Sequence, residues 1–248
     1  AFVDQVPAGV GVHGQGAEKG VIMATEIHAT AIIDKEAHID EGVAVGPFCI
    51  IGKGARIRKG TRIMSNVLIE GNTEIGESCG IYPFTSIGLP PQDLKYNNEE
   101  TSVRIGNNNT IREYITIHRA SVSGDGVTSI GNNNFLMAYA HIAHDCKIGD
   151  NIIMANAATL AGHVSVEDHA VVGGLVAVHQ FTRIGAYAMV GGFSGVGQDI
   201  PPYTIAAGAR AELFGLNTIG LKRNGFSDAT IAELKKAYKI LFREKLTL

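Results

Sequence analysis

From Ile27 onward an aliphatic residue recurs at every sixth position through eleven successive hexads: Ile27, Ile33, Ile39, Val45, Ile51, Ile57, Ile63, Ile69, Ile75, Ile81 and Ile87. The beat resumes at Ile105, Ile111 and Ile117. It returns again from Ile130 through Leu136, Ile142, Ile148, Met154, Leu160, Val166, Val172, Val178, Ile184 and Val190 to Val196. A period of six matches neither the helical 3.6 nor the strand alternation of two. It fits a chain that makes one short strand and one corner per hexad, with three hexads closing a three-sided coil of about 18 residues. The fourth residue after each aliphatic is small or apolar, as at Ala31, Val43, Cys49, Thr61, Ala140, Cys146, Ala158 and Ala188, which suits a narrow interior. The residue directly after it is often glycine (Gly46, Gly76, Gly106, Gly131, Gly149, Gly173), read here as relief for unusual corner dihedrals. The expected fold is a parallel β-helix with coils about 4.8 Å apart. The period then serves as a ruler for which distant residues lie side by side.

Composition narrows the classes. The three cysteines, Cys49, Cys79 and Cys146, all fall on the small inward position, so they read as packing residues, not as disulfides, ligands or nucleophiles. That usage fits a reducing cytosol, and a cytoplasmic location is expected. No apolar run approaches a membrane span, and no aromatic-and-basic platform suggests nucleic acid. Net charge is −3, unevenly spread: from Lys222 to Leu248 seven basic residues face three acidic ones. Residues 228–245 read as a helix with Ser227 as N-cap and Ile231, Leu234, Tyr238 and Leu241 along one face. Its basic side is either a solvated face or a docking surface for an acidic partner. Residues 1–22 carry no repeat and read as a leader or extension ahead of Met23; 23–207 read as the β-helix and 208–248 as a C-terminal helical region.

The beat breaks twice, at 89–104 and near 123–129, and loops thrown out from a regular scaffold are where function concentrates. Asn109 and Asn134 take the small inward position one coil apart and read as a stacked structural pair. Counting in coils puts the hexads of Ile117, Ile142, Leu160 and Val178 on one face. These carry His118, His144, His163 and His179, a row of imidazoles over roughly 15 Å, with His141 at the adjoining corner and the first loop springing from the same face. None is on an inward position. Such a row can serve as general base, metal site or anion-recognition surface. Hexapeptide proteins with carbonic anhydrase activity gather three histidines around zinc. Here His141, His144 and His163 lack the H-x4-H spacing of that group, so a metal-dependent hydratase is the alternative reading and no metal is expected.

Several strings carry a closer likeness: Gln92-Asp93-Leu94-Lys95-Tyr96, Thr116-Ile117-His118-Arg119, Ala140-His141-Ile142-Ala143-His144-Asp145-Cys146, Leu160-Ala161-Gly162-His163-Val164-Ser165, Ala177-Val178-His179-Gln180-Phe181 and Gly220-Leu221-Lys222-Arg223. With them, residues 24–246 resemble the acyl-[acyl-carrier-protein]–UDP-N-acetylglucosamine O-acyltransferases of lipid A biosynthesis. The resemblance implies a left-handed coil, a homotrimer with clefts between subunits, and transfer of a 3-hydroxyacyl group from acyl carrier protein to the sugar 3-hydroxyl. It implies His144 as general base, Asp145 as its orienting partner and the Gly162 N–H as oxyanion donor. It places Gln92, Asp93, Lys95, His118, His141, His163, His179 and Gln180 around the sugar nucleotide and the acyl-phosphopantetheine arm, Asn217 and Arg223 at the nucleotide, and Gly192 at the acyl tail. No cofactor is implied, since the acyl group arrives on the carrier's phosphopantetheine, and the basic C-terminal stretch becomes the dock for that acidic carrier. Ile219 stands where an acidic residue is expected, and Asn224 where a second arginine would follow Arg223. The family's helical region runs past Leu248, so a truncated C-terminus is expected.

Overall fold

The computed structural model describes residues 24–244. The expected leader over 1–22, Met23 as a start, and Lys245 lie outside the described residues. The chain winds into a left-handed parallel β-helix whose strands, mostly two residues long, form three sheets of eleven, nine and eight strands. Each strand pairs with those one coil away, aliphatic on aliphatic. In the nine-stranded sheet Ile51, Ile69, Ile87, Ile117, Ile142, Leu160, Val178 and Val196 are consecutive register partners, all buried. Each such side chain contributes about 1.5–3 kcal/mol by leaving water. The cysteines sit inside as expected, and burial raises all three thiols, that of Cys146 to about 12.

The corners behave differently from the sequence reading. The glycines one residue after the aliphatic have ordinary φ, except Gly88 at the root of the first excursion, with φ 83°. The left-handed position lies two residues further on and is filled mainly by residues other than glycine, among them Phe84, Tyr114, Tyr139, Asp145, His163 and Phe181. Glycine is needed instead because the next coil approaches too closely: a Cβ at Gly106 would sit 2.7 Å from the Gly131 carbonyl oxygen, and one at Gly173 would sit 2.6 Å from Gly192 N. Side chains at the left-handed position stand on the prism edge and stack coil upon coil. Phe84, Tyr114 and Tyr139 step along one edge at 4.9 Å between ring centroids.

Asn109 and Asn134 form the expected inner pair. The Asn109 side-chain oxygen accepts from Asn134 N–H at 2.9 Å, and the Asn134 oxygen accepts from Ile152 N–H at 2.7 Å. Their amide groups donate to the carbonyls of Gly131 and Gly149.

Both excursions keep the aliphatic register, with a bulge between Ile87 and Leu89 at the root of the first. Strand Ser86–Leu89 runs to Leu89 and strand Ser102–Ile105 begins at Ser102, so the first loop covers 90–101. Strands Thr116–His118 and Val127–Ile130 confine the second to 119–126. The sequence bounds differ because the beat marks only where aliphatics stop, not where pairing stops. At the C-terminal end Glu212–Leu216 adds an antiparallel strand against Thr204–Ala207, an element without the six-residue beat and not expected from it. Helices α1 (Thr218–Arg223) and α2 (Asp228–Phe242) follow. Ser227 caps α2 through Thr230 N–H and Ile231 is buried, whereas Leu241, expected on the packed face, is exposed.

Replacing Asn134 with Ala leaves the buried Ile152 N–H and Gly149 carbonyl without their partners, which costs about 2–5 kcal/mol. Urea unfolding of the variant is expected to show that loss with the slope unchanged.

Candidate active site

The corner that follows the nine-stranded sheet brings the expected residues together. Strand His141–Ile142 ends, Ala143 follows, and His144 and Asp145 make the turn, with Asp145 in the left-handed conformation at φ 61°. One coil on, Gly162 and His163 occupy the same two places; two coils on, Gln180 and Phe181 do. His163 N–H donates to the His144 carbonyl at 3.0 Å and Phe181 N–H to the Gly162 carbonyl at 3.1 Å, which locks the rows in step.

His144 Nδ1 lies 2.8 Å from Asp145 Oδ2. A carboxylate only accepts, so the proton sits on Nδ1 and Nε2 keeps a lone pair. The ring edge carrying Nε2 lies against Gly162, where a Cβ would come within 2.7 Å of Nε2. Glycine at that place is what gives the imidazole its room. Among the described residues the Gly162 N–H donates to no group. His163 meets His144 edge-on at 5.2 Å and stacks on Phe181 at 4.4 Å.

Two expectations about the histidines change. His141 lies on the strand between Thr116 and Thr159, not at a corner, and its Nδ1 is 2.6 Å from Thr116 Oγ1. His118 is off the inward position but only 5% exposed, because it pairs with Leu89 at the root of the first loop and meets His141 edge-on at 5.1 Å. Burial foremost, with His141 and His144 close by, lowers its pKa to about 4. Burial also lowers His141, with His144 adding to it. His179 and Gln180 are exposed, and the His179 ring turns to the Gln180 carbonyl at 3.1 Å.

Among the described residues the cluster able to hold a cation is His144, Asp145 and His163, whose ligand atoms lie within 4.8 Å of one another; the trio with His141 is not assembled. Oδ2 of Asp145 already accepts from His144 Nδ1 and from Ser121 N–H and hydroxyl, so that oxygen and the His144 Nδ1 are committed to each other. The donor set suits proton transfer better than metal coordination.

Residues 128–162 match the bacterial transferase hexapeptide model (six repeats) and 199–248 match UDP-N-acetylglucosamine O-acyltransferase, domain 2. The acyl-[acyl-carrier-protein]–UDP-N-acetylglucosamine O-acyltransferase of Thermodesulfovibrio yellowstonii is 70% identical over 223 residues, 90% of this chain and 86% of the relative. The chain belongs to that O-acyltransferase family. Solved structures agree: LpxA from Acinetobacter baumannii is 48% identical with a TM-score of 0.87, covering 89% of this chain and 86% of that one. The UDP-N-acetylglucosamine acyltransferase of Francisella novicida is 42% identical with a TM-score of 0.88, covering 90% and 82%.

Among the described residues the other positions expected from the O-acyltransferase resemblance make no hydrogen bond to the histidines. The loop residues Gln92, Asp93 and Lys95 make only local bonds, Asp93 accepting from Lys95 N–H at 2.9 Å. Arg119 holds the loop: its Nε donates to the Tyr96 hydroxyl at 2.9 Å, and its guanidinium lies over the Tyr96 ring. Asn217 is 5% exposed and occupied as the N-cap of α1, accepting from Gly220 N–H and donating to the Tyr187 carbonyl. Asn224 ends α1, Arg223 lies exposed in its last turn, and Ile219 is exposed. Gly192 lies on the opposite corner of the nine-stranded sheet, 3.2 Å from the Gly174 carbonyl by its missing Cβ. Sequence reasoning missed Ser121 and Thr128, which hold Asp145, since neither carries the histidine signal. Among the described residues no helix is long and apolar enough to cross a membrane.

The low His118 pKa has a sign that can be checked. In the unfolded chain this imidazole protonates near 6.5, and in the fold only near 4. Acid therefore protonates the unfolded state first: the contribution of His118 is complete above about 6.5 and falls as pH drops toward 4. NMR titration is expected to find His118 neutral at pH 5, and His118→Phe to flatten stability over that window.

Proposed function

We propose that the chain catalyses the first step of lipid A biosynthesis, moving a 3-hydroxyacyl group from acyl carrier protein to the 3-hydroxyl of UDP-N-acetylglucosamine. The observation that carries the mechanism is the His144–Asp145 pair, 2.8 Å apart with Nε2 open beside Gly162. Nε2 takes the proton of the sugar hydroxyl as its oxygen attacks the thioester carbonyl carbon. The Asp145 carboxylate steadies the imidazolium that forms. The negative charge gathers on the former carbonyl oxygen, where the Gly162 N–H is the donor. Collapse of that intermediate breaks the C–S bond, and the imidazolium returns its proton to the departing phosphopantetheine thiolate. No acyl-enzyme is needed, and the buried cysteines are unsuited to forming one.

His118 and His141, kept neutral by burial, would contact the substrates as uncharged donors or acceptors. His163, His179 and Gln180 continue the cleft. An assembly of three copies accounts for Gln92, Asp93 and Lys95, which would serve the cleft of a neighbouring subunit. A stripe of half-buried Phe135, Ile153, Val171, Met189 and Ile205, consecutive in register on the eleven-stranded sheet, supports such association. The acyl tail would pass Gly192, the nucleotide would reach Arg223 and the end of α1 near Asn217, and the carrier would dock on α2. There Asp228, Glu233 and Glu244 are each paired with a lysine, leaving the surface positive. A cytoplasmic location follows from the carrier and nucleotide substrates.

His144→Ala is expected to lower turnover about 10²- to 10⁴-fold, read as thiol release from acyl carrier protein with UDP-N-acetylglucosamine present. Turnover within a few-fold of the parent would sink the general-base role. The product mass should correspond to one 3-hydroxyacyl ester.

A further inference from the structure

The second excursion closes over the carboxylate of Asp145. Ser121, 3% exposed, donates to Oδ2 twice: from its N–H at 3.0 Å and from its hydroxyl at 2.7 Å. The same oxygen takes the His144 Nδ1 proton, while Oδ1 is buried without a partner. Gly124 lets the loop come this close, because a Cβ there would run into the carboxylate, 2.9 Å from its carbon. From behind, Thr128 Oγ1 accepts the Asp145 N–H at 2.8 Å.

The proton directions in this chain are fixed. The carboxylate can only accept, so the Ser121 hydroxyl proton points to Asp145. Ser123, whose hydroxyl is 2.6 Å from that of Ser121, must then donate to it, and Ser123 N–H does the same at 3.2 Å. That leaves the Ser123 oxygen only lone pairs to offer His163 Nε2, 3.5 Å away. Donors therefore run from Ser123 through Ser121 to Asp145, and His144 meets them from the other side.

We propose that Ser121 is a positioning residue for the transfer reaction, holding the Asp145 carboxylate so that His144 presents Nε2 at one fixed place. This rests on the general-base reading above. Ser121 makes no hydrogen bond to His144 or Gly162; its short bonds reach the base through Asp145, and the route through Ser123 to His163 is the longer one, at 3.5 Å.

The test is steady-state kinetics of Ser121→Ala, Ser121→Thr, Asp145→Ala and the double variant Ser121→Ala with Asp145→Ala, with circular dichroism and thermal melting as checks on the fold. Ser121→Ala is expected to lower kcat about 10- to 100-fold, the value of one lost charge-assisted hydrogen bond, with KM for both substrates within about threefold. Ser121→Thr, which keeps the hydroxyl, restores kcat to within about threefold. In the double variant the loss should be no greater than in Asp145→Ala, because Ser121 then has nothing to hold. Additive losses, an unchanged kcat in Ser121→Ala, or a rise in KM alone would overturn the proposal. Its failure is distinct from failure of the general-base reading, which is marked by retained turnover in His144→Ala.

Discussion

Everything in this molecule depends on parallel backbone pairing between coils, held in register by aliphatic side chains stacked on one another inside the prism. That pairing is indifferent to sequence distance. Ile87 and Ile117 are partners across a long excursion, Ile117 and Ile142 across a shorter one, and Ile142 and Leu160 across a plain coil. Core register thus fixes where His144 stands relative to Gly162 and Gln180, and a site built on corners inherits the precision of strands.

Within the site, burial sorts chemically identical side chains. His118, buried where its strand pairs with Leu89, stays neutral far into acid, and His141 is shifted the same way. His144 is set apart by a carboxylate partner at its Nδ1. Positive charge arising on His144 during proton transfer therefore meets a carboxylate and a neutral His118. The second excursion completes this arrangement by clamping Asp145.

Most of the fold was legible because the hexad beat is a direct image of the interior. Inward residues, buried cysteines, the asparagine pair and the shared face of the histidine hexads all follow from counting. What counting could not supply was anything decided between coils. The corner glycines answer to the neighbouring backbone, as Gly106 does to Gly131, and the left-handed positions fall on Asp145 and His163 without any glycine to mark them. Strand Glu212–Leu216 lacks the beat because it closes a sheet end, not a coil. The site was legible in its histidines and opaque in their supports. Ser121 and Thr128 are ordinary polar residues until the chain folds back on Asp145. That Asn217 caps α1 was likewise invisible to counting.

The six-residue repeat also governs how this chain can vary in length. One residue inserted within a strand between Ile142 and Val196 would turn the aliphatic of that hexad outward, so length changes there are confined to corners or to whole coils. The spans 90–101 and 119–126 lie outside the count and can lengthen or shorten without disturbing a single pairing. Lineages of this enzyme therefore have two places in which to alter what covers the cleft, and both sit upstream of the coil that carries His144.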